Sequence, residues 1–212
     1  MLNKILLLIL NAICVWTISY SQDKRVATSN EYDSIKIVLE RIYDKDQDIR
    51  QIIDSVGYDS PDFQIYLSKM LSIDVENQNI LLPILEKYGW IPRSLVGDKA
   101  SSAIFFVIQH SKLELMDNYY QQFDSLSKIG EANRVYAAMM EDRLLMWKGL
   151  KQIYGTQATT SLRANKELVI WPIEDPDKVD SLRFNVGFEQ SVLDNAKRLG
   201  AIYDPNEKLP KK

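Results

Sequence analysis

The chain has 212 residues, with 29 acidic and 26 basic side chains for a formal charge of −3, one histidine and one cysteine. That length suits a single domain able to bury a full core without metals or disulfides. Lys and Arg are interspersed with Asp and Glu and form no basic stripe, so nucleic acid is excluded as an expected partner.

Residues 1–21 have the order of a secretory signal. Lys4 precedes an apolar stretch from Ile5 to about Thr17, and Ser19 and Ser21 supply the small residues before a cut at Gln22. A spanning helix needs roughly 20 consecutive apolar residues, and Asn11 interrupts this run. A retained anchor and an acylated Cys14 are the alternatives; the latter lacks small residues in Asn11-Ala12-Ile13. Cleavage would place the chain in the periplasm or outside the cell, with no further membrane contact. It would also remove Cys14, excluding disulfides and thiol catalysis, and with Lys4 gone the charge of −3 becomes −4.

Residues 22–29 and 204–212 are polar and read as flexible tails, leaving residues 30–203 as one helical domain. From Glu31, Ile35, Val38, Leu39, Ile42, Ile49, Ile52 and Ile53 recur at helical spacing up to a stop at Gly57. Ser60-Pro61 predicts the start of a second helix, broken near Ser72. A third is expected from about Asp74 to Tyr88, with Pro83 kinking or delaying it and Gly89 ending it. Gly89 to Gly97 reads as a structured loop, followed by helices over Asp98–His110, Leu113–Ile129 and Arg134–Ile153. The pattern then changes: Thr156–Leu162 and Leu168–Ile173 are rich in β-formers and predict a hairpin. A short polar segment and a last helix from about Glu189 to Leu199 complete a mainly α, single-domain bundle with one β-hairpin near the C-terminal third.

Six short motifs occur in order: Asp46-Gln47-Asp48-Ile49-Arg50, Tyr88-Gly89-Trp90-Ile91-Pro92, Gln109-His110, Glu141-Asp142-Arg143, Gln152 to Gln157, and Arg183 to Phe188. Together they resemble a bacterial family catalogued only as a domain of unknown function, over roughly Ile35 to Leu193. The family pattern runs Gly-Trp-Pro, and Ile91 departs from it. The resemblance implies candidate positions and no reaction.

His110 is the only side chain whose ordinary pKa lies near neutrality, so any imidazole chemistry must use it. It stands at a helix end, where bonding to the last carbonyls would serve structure alone. Asp142 and Arg143 are helical neighbours about 100° apart and cannot pair face to face, so each needs a partner from elsewhere. Either they join buried ion pairs with Asp46, Arg50 or Arg183, or Asp142 orients His110 while Arg143 holds an anion. Asp46 and Arg50, one turn apart, read as an ordinary surface pair. Gln152, Tyr154, Thr156 and Gln157 crowd around Gly155, as either a binding loop or a helix stop.

Nucleophile elbows, phosphate loops, dinucleotide fingerprints and His-Glu-x-x-His are missing from the sequence. One histidine and no mature cysteine make a poor zinc set, and the Asp44, Asp46, Asp48 spacing fails as a calcium loop at Ile49 and Ser55. No metal and no cofactor are therefore expected. Two readings stand. One is a module that binds a small molecule, peptide, glycan or protein through Gln109, Arg143, Gln152, Tyr154, Thr156, Gln157 and Arg183. The other is a cofactor-independent hydrolase or transferase with His110 and Asp142 as its catalytic pair.

Overall fold

A computed structural model describes residues 28–57 and 59–210; the expected signal at residues 1–21 lies outside the described residues. Among the described residues the chain forms seven helices and one two-stranded hairpin, the mainly α architecture expected from the sequence.

Helix α1, Ser29–Val56, starts at a capping box: Thr28 Oγ1 accepts the Glu31 N–H and Glu31 Oε2 accepts the Thr28 N–H. Its buried residues, Ile35, Leu39, Ile42, Asp46, Ile49 and Ile53, alternate four- and three-residue steps, the spacing that keeps one stripe facing a partner helix. Five are aliphatic. The sixth is a carboxylate.

Helix α2, Phe63–Tyr88, is continuous, which corrects the expected break near Ser72. No glycine lies between Phe63 and Tyr88, and Leu81 and Leu85 bury on the shared core. Pro83 sits inside this helix, where it withholds one N–H donor from the ladder. Ser60 accepts the Asp62 N–H in the turn before it, so helix α2 begins two residues beyond Pro61.

Helix α3, Arg93–Gln109, is bent at Gly97, whose φ of 84° is open to glycine. Helix α4 spans Leu113–Lys128 and α5 spans Arg134–Trp147. The long helix expected through Ile153 stops early because Gly149 takes a φ of 69° and turns the chain. Strands β1, Ala158–Thr159, and β2, Val169–Ile170, pair antiparallel, confirming a hairpin shorter than the sequence suggested. Helix α6, Val179–Val186, occupies the segment read as merely polar; with only Val179 and Arg183 buried its period is faint. Helix α7 spans Val192–Leu199.

The main core joins α1 to α5 around Leu39, Leu81, Ile104, Phe105, Met116, Phe123 and Met140. A smaller one, Ile170, Ile173, Val179, Val192 and Ala196, sits under the C-terminal third. No described helix is long and apolar enough to cross a membrane.

Candidate functional site

The loop after α5 is held by four buried polar side chains. Asp142, fully buried on α5, accepts the N–H groups of Ile153 at 2.7 Å, Tyr154 at 3.0 Å and Thr156 at 2.9 Å. Burial pushes its carboxyl up, while those peptide donors work the other way. Because both oxygens accept from N–H groups, the ionised form is the one this loop fits.

Gln152 closes the next turn of the lattice. Its amide nitrogen donates to the carbonyls of Gln157 and Trp171, and its oxygen accepts the Gln157 N–H. Arg183 donates to the Gln190 and Tyr154 carbonyls and lies 4.3 Å from the Phe188 ring. Asn195 donates to the Gly155 carbonyl. Gly155 itself has a φ of 67°, and a Cβ there would stand 2.6 Å from Val192 Cγ2. Asp142, Gln152, Arg183 and Asn195 thus bind the loop's own backbone. Of the residues singled out in this segment, Thr156 and Arg183 also line a cleft of about 270 Å³ with Phe188, Asn195 and Arg198.

His110 belongs to a different cluster. Its Nδ1 faces Asp46 Oδ1 at 3.5 Å without a formed hydrogen bond, a contact that becomes an ion pair only when the ring is protonated. Asp142, the expected partner, points to the loop instead, because the α5 register turns it toward residues 153–156. Asp46 is 1% exposed in its side chain and is gripped by Arg50, through Nε at 3.2 Å and Nη2 at 3.0 Å. The same Nη2 reaches Asp74 Oδ1 at 2.6 Å. The surface pair expected at Asp46 and Arg50 is therefore a largely buried triad linking α1 to α2, with His110 brought to it by α3.

These groups titrate away from their ordinary values. Burial acts to raise the Asp46 carboxyl, but His110 and Arg50 outweigh it and bring it down to about 2. Burial depresses His110 more than Asp46 can lift it, with Arg50 and Arg143 adding to the depression, so the ring is neutral at physiological pH. Burial pushes Asp74 up against the pull of Arg50 and His110. The buried ring nitrogen is Nδ1, while 21% of the side chain is exposed. Nε2 is the nitrogen left to face a reactant.

Arg143 flanks this cluster. It donates from Nε to Gln157 Oε1 at 3.1 Å and from Nη1 to the Gln109 carbonyl at 3.1 Å. Among the described residues it has no carboxylate partner, and burial followed by the charge of Arg50 disfavours its ionised form. Gln109 is 2% exposed and both atoms of its side-chain amide are buried without a partner. Its neighbourhood holds one uncompensated cation and two unanswered amide atoms.

One ligand atom each from Asp46, Asp74 and His110 could meet within 4.8 Å, a set able to hold a metal ion. Arg50 Nη2 contacts both carboxylates, however, and puts a positive charge where that ion would sit. A groove of about 290 Å³ lined by Arg50, Ile53, Asp54, Phe63, Leu67 and Met70 opens on the Arg50 side.

The structure therefore links Gln109, beside His110, to Arg143 and Gln157, and Gln157 in turn bonds Gln152 and Thr156 of the loop, around which Asp142, Tyr154 and Arg183 also gather. The sequence reading missed Asp74 and misjudged Asp46. The signal for Asp46 was its place in the aliphatic stripe of α1, where a solvated carboxylate is out of register.

The family pattern covers residues 34–202. The chain belongs to the family of unknown function DUF6624. No curated protein and no solved structure matches the chain. The order of motifs that resembled such a family falls within the matched span, and four of the six motifs supply residues to the His110 cluster or to Arg143.

Proposed function

We propose that the His110 cluster binds a small oxyanion, a carboxylate or phosphate group, through Arg143. The observation that carries this reading is a half-buried guanidinium with two neutral acceptors and, among the described residues, no counter-ion, close enough to His110 to depress its titration. Buried charges are ordinarily paired, and an anion arriving here would supply the missing partner. Gln109, with its amide unanswered, would add directional hydrogen bonding.

A second reading follows from the Asp46–His110 geometry. A carboxylate facing Nδ1 at 3.5 Å favours the tautomer that carries its proton there, leaving the Nε2 lone pair as a general base. The bound anion would then be part of a substrate, and no organic cofactor is required. Asp46 takes the orienting role first assigned to Asp142.

The test is titration of the protein with phosphate and with acetate, following the His110 ring protons by NMR. Binding predicts saturable shifts in the wild type that disappear in Arg143→Gln. Shifts that fail to saturate, or that persist unchanged in Arg143→Gln, overturn the oxyanion site. We also propose that residues 1–21 direct export and are removed; an intact mass beginning at Gln22 would support this, and a retained Met1 would reject it.

A further inference from the structure

A second candidate site lies on the outer side of the α1–α2 pair. Val38, Arg41, Ile42 and Lys45 from α1, with Asn77 and Ile80 from α2, line a cavity of about 360 Å³. Asn77 is fully buried, and neither its amide oxygen nor its amide nitrogen has a hydrogen-bond partner. An unanswered buried amide is costly to a fold, since each orphaned group forfeits the hydrogen bonds it made to water. Leucine would fill a helix interface at that position without such a cost. The retained polarity calls for a partner that both donates and accepts.

The surrounding chemistry narrows that partner. Val38, Ile42 and Ile80 offer an aliphatic wall. Arg41 is exposed and makes no ion pair among the described residues, while Lys45 stands beside it, bonded to Glu76 at 2.6 Å. An amide at the back, aliphatic groups along the wall and an available guanidinium at the mouth match a compound carrying those three features in the complementary order.

We propose that this cavity binds an N-acylated aliphatic amino acid, either free or as the C-terminal residue of a peptide. The ligand's amide pairs with Asn77, its branched side chain packs on Val38, Ile42 and Ile80, and its carboxylate meets Arg41. The site is independent of the oxyanion reading of the His110 cluster, because none of its lining residues belongs to that cluster.

N-acetyl-leucine is the probe, titrated to millimolar concentration while the methyl signals of Val38, Ile42 and Ile80 are followed by NMR. Saturable shifts at these methyls are expected. The primary amide of N-acetyl-leucine, which lacks the carboxylate, and isocaproate, which lacks the amide, should each bind roughly tenfold more weakly or worse. Asn77→Leu and Arg41→Gln should weaken N-acetyl-leucine by a similar factor, and Arg41→Gln, at an exposed position, keeps the test open if Asn77→Leu fails to fold. No saturation in the wild type, equal binding of isocaproate, or binding that survives either substitution overturns the proposal. An acetylated peptide ending in leucine distinguishes the sources: tighter binding than N-acetyl-leucine assigns a peptide end, and exclusion of the peptide assigns the free acid.

Discussion

His110 Nδ1 and Asp46 Oδ1 meet at 3.5 Å although one closes α3 and the other sits midway along α1. The chain has one histidine, so its ring signals report this contact without overlap. The wild-type ring should titrate below its ordinary 6.5, as burial and the two nearby arginines dictate. Asp46 lifts the ring's pKa, so Asp46→Asn should lower it further. NMR titration of the ring protons checks both statements, and a rise in Asp46→Asn would show that the carboxylate is not the partner.

Stability should fall in two steps on acidification. The folded His110 binds its proton less readily than the unfolded one, so the contribution of its neutral form is complete above pH 6.5 and declines below it. Asp46 is held at about 2 against an ordinary 3.8. Its contribution, on the order of 2 kcal/mol, is present above the ordinary value and disappears as pH drops through the folded one. Urea midpoints measured across this range should show both steps in the wild type and only the lower one in His110→Gln.

Asp142→Asn should destabilise the fold by about 2–4 kcal/mol, because an amide nitrogen would face peptide N–H groups at a fully buried position. His110→Gln, by contrast, should cost under about 1 kcal/mol near pH 7, since the ring is partly exposed and its partner keeps Arg50. Urea denaturation of the two variants separates a loop-holding carboxylate from a site residue. A larger loss in His110→Gln would reverse these assignments.

Gly155→Ala should cost about 2–4 kcal/mol, combining the strain of a positive φ with overpacking. The added Cβ would lie 2.6 Å from Val192 Cγ2 and 2.9 Å from Ile173 Cδ1. Val192→Ala removes the nearer clash, so the double variant should recover part of the loss relative to the sum of the single changes. A double-mutant cycle by thermal or urea unfolding measures that coupling. Strict additivity would mean that the backbone conformation alone demands glycine.

Much of the architecture was legible from local rules. Apolar residues at helical spacing and glycine stops at Gly57 and Gly89 placed α1 and the end of α2, and β-formers around residues 158–170 announced the hairpin. Local rules failed where signals were weak or outvoted. Ser72 invited a break that a glycine-free helix with a buried face did not make, and α6 was too short and too charged to show a period. Ile153 seemed to extend α5 because its spacing continued past Gly149, where the backbone turns.

By itself the sequence determined the helical class, the membership of its family pattern and the fact that any imidazole chemistry must run through His110. Only the tertiary structure decided what surrounds that ring. Asp46 and Asp142 are both carboxylates in helices, each in an equally suggestive motif. Which one meets His110 depends on the register in which α1 packs on α3 and on the turn that carries residues 153–156 back over α5. Those are non-local outcomes of burying one helix face against another, and the spacing of residues along either helix does not encode them.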